Sequence, residues 1–147
     1  MKILPTLNLR SVSMDDAQAL FLWRNDPDTR RNSINTEPVA WEGHVAWLTK
    51  SLGMPTRKLY VAEVGGTPVG TVRADNENGI EELSWTVAPE ARGKGFGKMM
   101  VLQFVQEKLR GEKIIARIKD GNPASAAIAK ALGLSPGPAE DNTATWR

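Results

Sequence analysis

Val87-Ala88-Pro89-Glu90-Ala91-Arg92-Gly93-Lys94-Gly95-Phe96-Gly97-Lys98 decides the reading of this chain, because an extended run there gives way to a glycine-rich turn and then to an amphipathic helix. Glycine lets the backbone take conformations that other residues avoid and lets a ligand come close. The first N–H groups of the following helix lack intrahelical acceptors and carry its positive dipole end, so the segment suits an anion such as phosphate. Two other phosphate loops fail by position. A Walker loop needs glycine five residues before its Gly-Lys pair and a hydroxyl residue after it, where this chain has Arg92 and Met99. A dinucleotide fingerprint needs a third glycine where Lys98 stands, inside a β-α-β unit.

Downstream, a helix is expected from about Gly97 to Arg110, burying Val101, Leu102, Val105 and Leu109, followed by a strand over Lys113 to Ile118. Asn122 then caps a helix with Pro123 in its first position, Ile128 and Leu132 on its apolar face and Gly133 at its end. The tail, Leu134 to Arg147, has room for one or two short strands, with Thr143 to Trp146 the best candidate. Upstream, Lys58 to Val64, Val69 to Ala74 and Ile80 to Val87 read as a three-stranded meander, turning at Gly65-Gly66 and over Asp75 to Gly79. Thr6 to Arg10 alternates as a first strand. Ser13 and Asp16 form a capping-box-like start for a helix over Met14 to Arg24, which Asn25-Asp26-Pro27 ends. A second helix begins near Pro38 with Trp41, Val45, Leu48 and Leu52 at helical spacing and Gly53 as its stop.

The bulk properties limit the chemistry. At 147 residues the chain is expected to be one domain, 1–147. A net charge of only +2 without a basic run argues against nucleic acid as the main partner. The absence of cysteine removes disulfides, thiolate metal sites and cysteine nucleophiles, and the single histidine, His44, makes a histidine triad or metal cluster implausible. Met1-Lys2-Ile3-Leu4-Pro5 lacks the apolar region of a signal peptide and no stretch approaches a membrane span, so a cytoplasmic protein without membrane contact is expected.

Arg92, Gly95 and Gly97 fit the pattern Q/R-x-x-G-x-G/A, which resembles the acetyl-CoA loop of the GNAT superfamily of N-acetyltransferases. The resemblance covers most of the chain: Val87 to Gly95 is similar to that family's strand-four exit and pyrophosphate loop. Asn122-Pro123-Ala124-Ser125, with Gly133 eleven residues after Asn122, resembles its second cofactor motif. The implied fold is α/β (α+β), a mixed, mostly antiparallel sheet splayed between its fourth and fifth strands and flanked by about four helices. Acetyl-CoA is the implied co-substrate, its pantetheine arm running along the backbone of Trp85, Thr86 and Val87. Arg92, Gly93, Lys94, Gly95, Phe96, Gly97 and Lys98 are the implied pyrophosphate loop, with Asn122 touching the arm from the other side.

Transfer from a thioester to an amine requires the amine to lose a proton, the oxyanion to be held and the thiolate to be neutralised. With no cysteine for an acyl intermediate, direct attack by the amine is the simplest course. Glu81 and Glu82 fall on opposite faces of their strand. Glu82-Leu83-Ser84-Trp85 resembles the Glu-Ile-Gly/Ser-aromatic run of the ribosomal-protein and nucleotide-sugar acetyltransferase branches, which makes Glu82 the first choice for the base or water-orienter. Glu81 remains a rival, since a family bulge in this strand changes which side chain faces the cleft. Many family members protonate the thiolate with a tyrosine seven residues after the asparagine, where this chain has Ala129; Ser125 is the nearest hydroxyl and solvent the alternative. On the acceptor side, Trp23, Arg24, Asn25, Arg30 and Asn32, with Arg31, Asn35, Trp41, His44 and Trp47 nearby, are similar to the corresponding segment of nucleotide-sugar N-acetyltransferases such as those of pseudaminic acid synthesis. Arginines suit phosphate and tryptophans suit ring stacking; the competing reading has Trp41 in the core, His44 packed or on a helix surface, and the arginines capping a helix end. The expected reaction is therefore acetylation of a small-molecule primary amine, with an amino-sugar nucleotide favoured and no metal. Acetylation of a protein N-terminus, a non-catalytic acyl-CoA-binding module and a homodimer stay open.

Overall fold

The structure, a computed structural model, describes residues 6–147; Met1 to Pro5, and with them the reading of a missing signal peptide, lie outside the described residues. Six strands form one sheet in chain order: β1 (Leu7–Ser11), β2 (Arg57–Val64), β3 (Thr67–Glu77), β4 (Ile80–Val87), β5 (Lys113–Lys119) and β6 (Thr143–Trp146). Neighbours are antiparallel except β4 and β5. That parallel pair needs a crossover, which α4 (Phe96–Lys108) supplies. Helices α1 (Ala17–Asn25), α2 (Pro27–Arg31) and α3 (Trp41–Leu52) lie between β1 and β2, and α5 (Pro123–Ala131) between β5 and β6. Among the described residues no helix is long and apolar enough to cross a membrane.

Local chemistry explains most boundaries. The Ser13–Asp16 capping box forms at the head of a 3-10 turn, Met14–Asp16, that runs into α1. Asn122 accepts the Ser125 N–H at 3.2 Å with Pro123 as the first helical residue of α5. Five α-helices appear where about four were expected, and the addition is α2. Asp26 accepts the Thr29 N–H at 3.1 Å and Pro27 takes the first helical position, so the segment that ends α1 also starts a new helix. The next helix begins at Trp41 and not near Pro38, because Asn25 pins the extended segment before it by bonding both the Val39 carbonyl (2.9 Å) and N–H (2.8 Å). Its buried side is His44, Leu48 and Ser51, while Trp41, expected in the core, and Leu52 are each 42% exposed. β3 runs beyond Ala74 to Glu77, so the turn expected over Asp75 to Gly79 contracts to Asn78-Gly79, with φ of 55° and 81° as a two-residue hairpin turn requires. Polar Asp75 is tolerated in that strand because Arg57 holds it at 2.6 Å. α4 ends at Lys108 and buries Met100, Val101 and Phe104, whereas Leu102 and Val105 are only partly covered.

Alternation along the strands sets two different faces. Tyr60 packs on Phe104 of α4, ring centroids 5.8 Å apart, so its neighbour Leu59 points the other way, toward α1 and α3. Register carries this across the sheet: Tyr60, Val72 and Trp85 share the α4 face, and Leu59, Arg73 and Ser84 share the α3 face. The one break in register lies between β2 and β3, where Ala62 pairs with Gly70 and Glu63 with Pro68, leaving Val69 as the extra residue. β4 pairs with β3 without interruption from Ile80 to Val87, so the bulge considered for the Glu81–Glu82 strand is absent and simple alternation decides where those carboxylates point.

Candidate active site

β4 and β5 pair only over Ile80–Leu83 and Lys113–Ala116. Beyond that point β5 is held by β6 and β4 by β3, so Ser84 to Val87 has no strand along its β5 side. A cleft of about 970 Å³ opens there, lined from both faces of the sheet.

On the α4 face the cleft meets the glycine loop. A 3-10 turn, Pro89–Ala91, leads into Gly93 (φ 78°) and Gly95 (φ 79°), left-handed conformations that aim successive amides out of the loop. The first bond accepted by this loop from α4 is Met99 N–H to Gly95 C=O, at 3.2 Å. The amides of Gly93, Lys94, Gly95, Phe96, Gly97 and Lys98 find no acceptor among the described residues. Gly97 seats the helix end: a Cβ there would stand 3.1 Å from Val87 Cγ2 and 3.3 Å from Ile128 Cδ1. Trp85, Thr86, Val87, Arg92, Gly93, Gly95, Phe96, Gly97, Lys98, Asn122 and Ser125 all line the cleft; of the loop residues named from sequence, Lys94 does not and is exposed. Trp85 donates its indole N–H to Ser125 Oγ at 3.1 Å, a bond that bridges the gap from β4 to α5.

Arg92 acts mainly through its side chain. It donates to Asp26 Oδ2 (2.7 Å) and Thr29 Oγ1 (2.8 Å) and reaches Asp28 Oδ2 at 3.4 Å, tying the loop to the start of α2. That hydrogen bond from Arg92 holds the Asp26 carboxyl below its ordinary value. At the other end of α2, Lys119 of β5 donates to the Arg31 carbonyl at 2.9 Å, so this short helix is strapped across the cleft from both sides. The motif identified Arg92 but gave no sign that Asp26, Thr29 and Lys119 would be its structural counterparts.

The α3 face is arginine-rich. Arg24, Arg57 and Arg73 place their guanidinium carbons 5.1, 5.7 and 5.8 Å from the Trp47 ring centre, and Arg117 of β5 sits 3.4 Å from Glu82. Burial pushes Arg24 and Arg73 below their ordinary values. Glu82 shares this face with Ser84 and Thr86, which line the cleft, but does not itself line it. Glu81 lies on the opposite face, 1% exposed, and accepts from Lys58 Nζ (2.9 Å) and Asn76 Nδ2 (3.1 Å). Of the acceptor-side residues read from sequence, Trp23, Arg24 and Asn32 line the cleft; Asn25 is spent on Val39, and Arg30 stands in the last turn of α2 and does not reach the cleft. Arg73 and Arg117 were missed, since alternation shows that a strand has two faces without saying which one meets a cavity.

His44 is a packing residue with 0% exposure, surrounded by Phe21, Trp41 and Trp47. Its Nε2 bonds the Ala17 carbonyl at 2.8 Å, its Nδ1 has no partner among the described residues, and burial holds it below its ordinary value. Tyr60, under Phe104 and Lys108, does not line the cleft, and Ala129 is fully buried. No group of acidic or histidine side chains among the described residues could hold a metal ion.

Comparison with known proteins agrees with this fold. No curated protein is matched by sequence. Among solved structures, the spermidine N-acetyltransferase of Vibrio cholerae in complex with CoA and spermine superposes with a TM-score of 0.81 at 18% identity, covering 96% of this chain and 92% of that one. The ribosomal-protein-alanine N-acetyltransferase of Brucella melitensis gives 0.75 at 24% identity over 95% and 96%. The yncA protein of Salmonella typhimurium, solved with its cofactor acetyl-CoA, gives 0.76 at 19% identity over 96% and 91%. At such identities these likenesses speak for the fold. The family model for the acetyltransferase (GNAT) domain matches residues 6–135, nearly the whole described chain, and the protein therefore belongs to the GNAT acetyltransferase family.

Proposed function

We propose that the chain is an acetyl-CoA-dependent N-acetyltransferase acting as one domain on a small-molecule primary amine. The observation that carries this reading is the run of amides from Gly93 to Lys98 that have no acceptor among the described residues and open on the gap between β4 and β5. Those amides, with the dipole of α4 and the charge of Lys98, would hold the pyrophosphate. The unpaired edge of Trp85, Thr86 and Val87 would hold the pantetheine arm, with Asn122 on its far side. Bound acetyl-CoA supplies an activated thioester carbonyl. The splay lets it enter from the α4 face while the amine enters from the α3 face.

Glu82 is the proposed base. Its side chain is 32% exposed on the acceptor face, and it reaches the amine through water because Ser84 and not Glu82 lines the cleft. Glu81 is disfavoured by its Lys58–Asn76 pairing on the opposite face. Ser125 Oγ, already accepting from Trp85, keeps its own proton available toward the sulfur. An amino-sugar nucleotide is the favoured acceptor, for which the arginines and Trp47 supply phosphate and ring contacts. Thiol release from acetyl-CoA with a panel of amines tests the activity. Glu82→Gln should lower kcat by roughly 10²- to 10⁴-fold at unchanged coenzyme A affinity; unchanged turnover would remove Glu82 from the role.

A further inference from the structure

The arginines on the α3 face of the sheet are charged groups that the fold leaves undercompensated. Four guanidiniums, those of Arg24, Arg57, Arg73 and Arg117, share two carboxylates on this face. Asp75 accepts from Arg57 at 2.6 and 3.2 Å and has Arg73 at 3.3 Å, and Glu82 has Arg117 at 3.4 Å. Arg24 has no hydrogen-bond or ion partner among the described residues, and the buried Nε of Arg73 has no aligned acceptor. By contrast, Arg10 grips Asp16 and Glu63 and Lys58 grips Glu81, while Arg30 is the other cation with a buried, unpartnered Nε among the described residues. Stacking on one tryptophan is a weak attraction for each cation and does not cancel repulsion between three of them. Three of the four, Arg24, Arg73 and Arg117, also line the cleft, and they reach it from separate elements, α1, β3 and β5.

We infer that Arg24, Arg73 and Arg117 form an oxyanion subsite for the acceptor, so that the enzyme acetylates amines carrying their own carboxylate or phosphate and rejects polyamines. A planar guanidinium fork matches both oxyanions bidentately, and an incoming anion relieves the mutual repulsion among the guanidiniums. A polycation such as spermidine would add to that repulsion. The inference rests on the acetyl-CoA reading for the location of the amine, but its charge balance is independent of it.

The test is calorimetric, on the full chain first saturated with coenzyme A, and it titrates matched probes: glucosamine 6-phosphate against glucosamine, phenylalanine against phenethylamine, and spermidine. At least one anionic member should bind roughly tenfold or more tighter than its partner, the ratio expected for one charge-assisted bidentate contact. Arg73→Gln and Arg24→Gln should each bring that ratio to within about threefold while coenzyme A binds as before, and the exposed Arg117→Gln provides a variant with little structural risk. Added salt should also erode the preference. Equal behaviour within every pair, undetectable binding included, overturns the subsite. So does a preference for spermidine, or one that survives all three substitutions. Failure at the first step, with no coenzyme A bound, refutes the cofactor reading itself.

Discussion

Replacing Gly95 by alanine isolates what the loop geometry is worth. Gly95 caps α4 at φ 79° and ψ 7°, and a Cβ there would meet nothing within 4 Å. No clash is possible, so the whole cost is left-handed strain, about 1–2 kcal/mol for a residue with a Cβ. Where the strain is felt depends on the free loop. If the loop keeps its shape, folding loses the full amount; with an unfolding entropy of about 0.3 kcal/mol/K for 147 residues, Tm drops by about 3–6 °C and coenzyme A binds as before. If the loop relaxes when empty, Tm hardly moves and the cost reappears on binding, as a 5- to 30-fold weaker Kd by order of magnitude. The two losses should therefore sum to about 1–2 kcal/mol, measured by scanning calorimetry and titration calorimetry on the same protein. Gly43, inside α3 with equally open space and no positive φ, serves as the contrast: alanine there should raise stability by about 0.5–1 kcal/mol. A Gly95→Ala protein with wild-type Tm and wild-type affinity would refute the reasoning.

Two further outcomes follow from the electrostatics. His44 is the only histidine, and burial lowers its value in the folded protein, so between pH 7 and 5 the unfolded chain binds the extra proton. Stability should thus be fully present above the ordinary histidine value near 6.5 and fall as pH drops through it, by at most about 1.4 kcal/mol per pH unit, and His44→Gln should flatten that slope in urea titrations. A double-mutant cycle of Arg92→Gln and Asp26→Asn should give a coupling of about 1 kcal/mol that shrinks in high salt, since the pair is only part-buried. Because the Asp26 carboxyl is held below its ordinary value, the coupling should persist above pH 4 and disappear as pH falls below that; strict additivity would mean that the Asp26 contact contributes nothing to tying α2 to the loop.

Much of the fold was legible because particular residues admit few alternatives. Gly65-Gly66 between alternating runs forced a hairpin, Asn122-Pro123 forced a helix start, and Thr143 to Trp146 emerged as β6 with the bounds its β-branched and aromatic residues suggested. The misses share one cause: a residue type with two uses. Pro27 ends α1 and also begins α2, so reading it only as a stop hid the helix that spans the cleft. Asp75 and Asn76 are common in turns, yet Arg57 and Glu81 keep them in β3. Trp41 looked like a core residue, but α3 is rotated so that His44, Leu48 and Ser51 face inward. At the site, the loop was visible because its chemistry is local to the backbone. The arginine group was not, because Arg73 and Arg117 are far apart in the chain and come to line one cleft only in the folded sheet.

Nitrogen-resolved amide shifts during a coenzyme A titration address the central claim most directly. The backbone N–H signals of Gly93, Lys94, Gly95, Phe96, Gly97 and Lys98 should move together and to lower field, while those of the distant Gly65-Gly66 hairpin stay in place and pantetheine, which lacks the diphosphate, leaves the loop signals unmoved. Coenzyme A binding that leaves those six signals where they were would contradict the account.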